Sequence, residues 1–162
     1  MSHTKTKFAK VLVAIDGSET SMRAANYAVY IAKRGAGEKE SINLIALTVI
    51  DLLKLSGSFF AASSGYYGAK ELEEKRKEAQ QWLNKIKKLA TEDNDNNIQF
   101  KSEIIEIVTS RVGSAILDYA ERENIDLIVI GTRGRTGFKK MLLGSVASDV
   151  ITYSHCPVLV IK

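Results

Sequence analysis

The chain has one cysteine, one proline, one tryptophan and two histidines in 162 residues. A single thiol, Cys156, excludes an intramolecular disulfide framework and fits a reducing compartment. With only His3 and His155 beside it, the sequence offers no cysteine–histidine metal site. No apolar run approaches membrane-spanning length, and Met1–Lys10 lacks the apolar core of a signal peptide. The expectation is a soluble, cytoplasmic domain with no membrane partner. Charge of one sign is scarce too: 23 basic against 19 acidic residues leave +4. The lysines are spread along the chain, which disfavours a nucleic-acid stripe and still permits small anions. What is present is ordinary for a globular protein, with 45% hydrophobic and 26% charged residues. The length suits one domain, residues 1–162, able to bury a core without staples.

The stretch that organises the rest runs from Asp126 to Ser148. Leu127-Ile128-Val129-Ile130 is short, apolar and β-branched, the pattern of a strand buried on both faces. Gly131, Gly134 and Gly137 follow at intervals of three, with Arg133, Arg135, Lys139 and Lys140 among and after them. Gly144-Ser145 then opens a helical stretch marked by Val146, Val150 and Ile151. A buried strand thus empties into a glycine-rich cationic loop and a helix N-terminus. Amide N–H groups, a helix dipole and basic side chains converge there, which suits a phosphate.

The remaining elements follow in order. Phe8–Ile15 is a first apolar strand, ended by the turn Asp16-Gly17-Ser18, and Ser18-Glu19 resembles a helix start. Ser21–Arg34 carries an apolar helical face of Met22, Ala25, Ala28, Val29 and Ala32. Ser41–Ile50 is a second buried strand. After it, residues 51–69 form a long irregular connection in which Ser and Gly alternate with Phe59, Phe60, Tyr66 and Tyr67. It reads as a surface loop packing its own aromatics, or as a lid or partner contact. Lys70–Ala90 is a charged helix with Leu72, Ala79, Trp82, Leu83, Ile86 and Leu89 as its stripe. Ile98–Val108 alternates in part, as an outer strand does. A helix over Val112–Asn124 turns Ile116, Leu117 and Ala120 inward, and Pro157 begins a last strand, where it costs no ladder bond.

Strands separated by single helices imply an α/β fold: one open five-stranded parallel sheet with right-handed crossovers and helices on both faces. The pure apolar strands belong at the centre and the alternating third strand outside, giving the order 3-2-1-4-5. The chain then reverses between strands one and four, where open α/β sheets bind ligands. Asp16 stands at one lip of that crevice and the Gly131 loop at the other.

No run fits a P-loop, and no G-x-G-x-x-G follows the first strand. The spacing Gly131, Gly134, nine residues, Gly144-Ser145 resembles instead the G-x2-G-x9-G-S/T signature of the nucleotide-binding branch of the universal stress protein family. The resemblance extends to the Asp16-Gly17-Ser18 turn and to Cys156-Pro157-Val158-Leu159-Val160-Ile161, and so spans nearly the whole chain. It implies a Rossmann-like fold that binds ATP, and a role as a nucleotide-dependent switch or sensor in stress response. By position, Ala14, Ile15 and Asp16 would line the adenosine, and Val49 would pack on the adenine ring. Asp16 would accept the ribose hydroxyls or help hold a Mg²⁺ bridging the phosphates. Ile130 and Gly131 would touch ribose and base, and Gly134 would let the backbone approach the phosphates. Gly144, Ser145 and Val146 would supply amide donors, and Arg133, between the key glycines, is the cation best placed for phosphate.

Two departures from the family pattern stand out. The place two after Ser145, commonly a hydroxyl residue, is Ala147, with Ser148 one further on. Ser110 stands where a glycine commonly precedes the third helix. Plainer roles are open as well: Asp16 as a turn residue, Ser145 as a helix cap, Gly131 and Gly134 as tight-turn glycines, Cys156 as a small buried hydrophobe. No general base is positioned by spacing, so hydrolysis is expected to be slow or partner-dependent at most. The alternatives are a non-nucleotide dimeric module of the same fold, or a binder of AMP or a cyclic nucleotide. An adenylate-forming enzyme is disfavoured, since no histidine motif adjoins the first helix. Val158–Ile161, apolar and at the sheet edge in this order, predicts a homodimer pairing its last strands. Bound ATP is expected to order the Gly134–Gly144 loop and the Leu52–Gly68 segment, presenting a changed surface to a protein partner.

Overall fold

A computed structural model describes residues 8–35, 41–55, 66–92, 98–108, 111–133 and 143–162. In chain order the elements are β1 (Lys10–Ala14), α1 (Glu19–Gly35), β2 (Ile42–Asp51), α2 (Tyr66–Thr91), β3 (Ile98–Ile107), α3 (Val112–Arg122), β4 (Leu127–Gly131), α4 (Ser145–Tyr153) and β5 (Val158–Ile161). The five strands form one parallel sheet in the order β3-β2-β1-β4-β5. The order expected from burial pattern is the order found.

The sheet is buried on both faces because its central strands are apolar on both faces. In β1, Val11 and Val13 join the alanines of α1 and Leu83 and Ile86 of α2 on one side. Leu12 and Ala14 join Ile116, Tyr119 and Ala120 of α3 and Val150 of α4 on the other. Val11, Leu12, Val13, Ile128 and Val129 expose no surface. Each large side chain so buried contributes about 1.5–3 kcal/mol relative to exposure. The buried side of α1 is made of small residues, with Ala24, Ala25, Ala28 and Ala32 fully buried, so the helix lies close on the sheet. Trp82 of α2 covers Gly17, whose φ of +78° is the left-handed conformation that glycine adopts without strain.

Asp126 fixes the far end of the sheet. Its Oδ2 accepts from the N–H groups of Ala9 (3.0 Å) and Lys10 (2.8 Å), and its own N–H donates to the Lys10 carbonyl (2.9 Å). At the outer edge, Arg76 of α2 grips Glu106 of β3 through Nε (2.6 Å) and Nη2 (3.0 Å). That guanidinium holds the Glu106 carboxyl below the usual carboxylate range, although an ion pair this exposed adds little stability.

The connection after β2 differs from expectation. It is shorter than residues 51–69: Asp51 belongs to β2, Leu52–Lys54 form a 3-10 turn, and α2 begins at Tyr66. Asp51 Oδ1 accepts the Leu53 N–H (3.1 Å) and so starts that turn. Gly68 falls in the first turn of α2, where the backbone donors lack helical partners in any case and glycine is tolerated. Residues 56–65 and Ser110 lie outside the described residues. Helix α1 begins at Glu19, at the Ser18-Glu19 start expected for it. Ser18 caps it, its Oγ accepting the Ser21 N–H at 3.2 Å. Among the described residues no helix is long and apolar enough to cross a membrane.

Candidate functional site

The chain leaves β1 for α1 on one face of the sheet and leaves β4 for α4 on the other. Between these diverging exits opens a cavity of about 130 Å³, far more than the ~10–15 Å³ that one water needs. Ala14, Ile15 and Asp16 reach it from the end of β1, and Val49 from β2. Ile130, Gly131 and Arg133 come from the end of β4, and Gly144, Ser145 and Val146 from the start of α4. Gly134, Arg135, Gly137, Lys139 and Lys140 lie outside the described residues.

Ser21, Leu47, Val112, Ile116 and Thr132, not expected at the site from sequence, also line the cavity, as does Ala147. Several of them were legible from periodicity. Leu47 shares a strand face with Val49, Thr132 continues the face of Ile128 and Ile130, and Val112 and Ile116 are a helical pair four apart. The wall contributed by β2 and α3 is apolar, made of Leu47, Val49, Val112 and Ile116. Polar groups come from Asp16, Arg133 and the N-terminus of α4.

Backbone placement around these polar groups is tight. The Gly144 N–H donates to the Thr132 carbonyl (2.7 Å), and the Thr132 N–H donates to the Ile161 carbonyl (2.7 Å). The Arg133 carbonyl accepts from Thr20 Oγ1 (2.6 Å) and, more weakly, from Ser18 Oγ (3.3 Å). Ser18 is itself held by Asp16 Oδ1, which accepts from its N–H (3.0 Å) and its hydroxyl (2.6 Å). Asp16 is thus both a turn residue and a cavity residue. The first helical amides of α4 have no side-chain cap, and a helix start leaves such donors without internal partners. They carry the positive end of the helix dipole toward the cavity.

Three residues show local roles of their own. Gly131 answers a packing need: a Cβ there would lie 2.8 Å from the Thr20 carbonyl carbon and 2.9 Å from the Ser21 nitrogen. Ser145 is the first helical residue, and Gly144 holds the cap position. Ser148 does not substitute for the hydroxyl missing at Ala147. Its N–H closes the first helical bond to the Gly144 carbonyl (2.9 Å), its side chain is exposed, and it is not part of the cavity wall. Among the described residues no cluster of three or more His, Cys, Asp or Glu stands ready to hold a metal.

Residues 7–162 match the profile of the Universal stress protein family. The chain belongs to that family. It is 36% identical over 155 residues to a universal stress protein of Methanocaldococcus jannaschii, covering 96% of this chain and 82% of that one. Against universal stress protein YxiE of Bacillus subtilis the identity is 33% over 155 residues, with 96% and 99% covered. Universal stress protein UspA from Lactobacillus plantarum superimposes with a TM-score of 0.72 at 25% identity, over 96% of this chain and 99% of that one. Two structures with ligands share the fold. One is a universal stress protein in complex with cAMP (TM-score 0.62, 21% identity, 95% and 96% covered). The other is an Arabidopsis thaliana universal stress protein family protein with AMP bound (TM-score 0.55, 18% identity, 95% and 91% covered).

Proposed function

We propose that this universal stress protein binds an adenine nucleotide, ATP with Mg²⁺, in the cavity between β1 and β4, and acts as a nucleotide-dependent switch. The observation that carries the reading is the pairing of an apolar wall with an uncapped helix N-terminus in one cavity. The apolar wall suits a base held against Val49 and Ile130, and the α4 amides suit phosphate. The AMP and cAMP complexes of the same fold support an adenine nucleotide as the ligand class. Mg²⁺ is usually held by one or two carboxylates together with phosphate oxygens and water. Asp16 is the one carboxylate on the described cavity wall, which fits that mode and does not fit a dedicated metal cage. With one carboxylate, already accepting from Ser18, the wall suits retention of a nucleotide better than its turnover.

The test is to denature the purified protein and identify what it releases by chromatography and mass, then titrate the emptied protein with Mg-ATP, AMP and cAMP. Near-equimolar release of ATP, or saturable binding of added Mg-ATP, is expected. Mg-ATP should also suppress proteolytic cleavage between the two anchors at Arg133 and Leu143, since a ligand moves a loop only through its differential affinity for the loop's states. A protein that holds no nucleotide and binds none points to the dimer-module reading.

The second part of the proposal is a homodimer through β5. Val158, Leu159 and Val160 are all half-buried in the single chain. Ile128 N–H donates to the Pro157 carbonyl (3.0 Å) and Thr132 N–H to that of Ile161 (2.7 Å). In a parallel ladder this alternation directs the odd-numbered peptide groups of β5 toward β4 and those of Val158 and Val160 away from it. A twofold copy would pair those outward groups and cover the apolar edge. Val160→Pro removes an outward donor and spares the β4 ladder, so sedimentation should show a folded monomer. A dimer that persists overturns this interface.

A further inference from the structure

Thr132 is 9% exposed, lines the cavity, and its buried Oγ1 has no hydrogen-bond partner among the described residues. Its backbone is fully committed: the carbonyl receives Gly144 at the foot of α4, and the N–H donates to Ile161. Strand alternation puts its side chain on the side of Ile128 and Ile130, the side on which α4 packs, whereas Gly131 faces Thr20 of α1. A buried hydroxyl without a partner is costly, and natural proteins retain few of them. Here the orphan sits beneath a helix N-terminus, in the wall of the cavity. Both features call for the same missing group, an acceptor with negative charge.

We propose that the Thr132 hydroxyl is a ligand-binding donor, which hydrogen-bonds a phosphoryl oxygen of the bound nucleotide. The proposal rests on the nucleotide reading of the cavity and adds to it a residue that recognises phosphate. It makes the empty protein carry a defect that the ligand repairs. Thr132→Val keeps the shape, removes the hydroxyl, and should therefore move stability and affinity in opposite directions. Thr48 supplies the internal control. It is 3% exposed with an Oγ1 unpartnered among the described residues, but it lies on the α1 and α2 side of β2 with Leu44 and Ala46, outside the cavity wall.

The experiment measures the melting temperature of the nucleotide-free protein and calorimetric binding of ATP, AMP and adenosine. It is run on the full chain and on Thr132→Val, Thr132→Ser and Thr48→Val. Thr132→Val should raise the melting temperature of the empty protein by about 2–4 °C. It should also weaken ATP and AMP by roughly tenfold or more, a charged acceptor having lost its donor. Adenosine binding should stay within about twofold, since it carries no phosphate for the donor. Thr132→Ser should restore most of the phosphate affinity. Thr48→Val should raise the melting temperature and leave all three affinities unchanged, which separates stability from binding. Wild-type binding with an unchanged affinity in Thr132→Val overturns this inference alone. Equal weakening of adenosine overturns the assignment to phosphate. A wild-type protein that binds none of the three overturns the nucleotide reading, and this inference with it.

Discussion

Replacing Gly131 by alanine should destabilise the folded chain by about 3 kcal/mol, lowering the melting temperature by roughly 6–12 °C for a domain of this size. The added Cβ would meet the Thr20 carbonyl carbon and Oγ1 at 2.8 Å and the Ser21 nitrogen at 2.9 Å. Two of those three atoms are backbone, in the first turn of α1, and cannot rotate away. Relief requires the helix to lift off the sheet, and its buried face is a row of alanines with no slack to give. Lifting would also pull Thr20 Oγ1 from the Arg133 carbonyl it holds at 2.6 Å. Nucleotide affinity should fall together with stability. Urea unfolding checks the first effect and calorimetry the second. A loss below about 1 kcal/mol, the range of an ordinary tolerated substitution, would show that α1 repacks freely and that the close approach is incidental.

Replacing Val49 by tryptophan should abolish nucleotide binding and leave the fold standing. Val49 is half-buried, lies near the end of β2, and lines the cavity on the same sheet face as Ile130. The position therefore has room outward, and an indole there occupies the slot assigned to the base. A loss of at least about 100-fold is expected, equivalent to roughly 2.8 kcal/mol at 1.4 kcal/mol per tenfold. Circular dichroism and the melting curve should stay close to the unsubstituted protein. If Val49→Trp bound Mg-ATP normally, the base would have to lie elsewhere, and the division of the cavity into apolar and polar walls would lose its meaning. The two variants differ in kind. Gly131→Ala acts through the scaffold, while Val49→Trp acts through the ligand's space.

Much of this was legible in the sequence, because the informative features are local. Uniformly apolar strands of five residues declare a doubly covered sheet, and the alternation in Phe100–Glu106 declares its outer strand. That contrast, with right-handed crossovers, is satisfied by the order β3-β2-β1-β4-β5, and the order places the crevice. The cavity wall was harder to read. Ala14 to Asp16 and Gly144 to Val146 follow from where strands end and a helix starts. Val112 and Ile116 come from a helix whose position over the cavity depends on tertiary packing, including the Gly113 backbone lying close to Asp149. The reason for Gly131 was also hidden. Its spacing suggested a phosphate loop, but the atoms that forbid a side chain there belong to Thr20 and Ser21, more than a hundred residues earlier in the chain. Thr132 was invisible for a related reason. A threonine after a strand is unremarkable until its hydroxyl is found buried without a partner among the described residues.

The bond between Asp126 and the start of β1 has a consequence for how the molecule comes into being. Ala9 and Lys10 are synthesised well before the carboxylate that receives their N–H groups, which lies 117 and 116 residues downstream. β1 pairs early with β2, but its other edge stays open until Leu127–Val129 arrive to fill it. Such long closures must be made before their contacts repay the lost chain entropy, which makes folding slow relative to helical bundles of the same length. A nascent chain halted before Asp126 holds the apolar strand β1 with one edge unpaired, a state prone to associate with other chains. The cavity between β1 and β4 therefore forms only after β4 has been made.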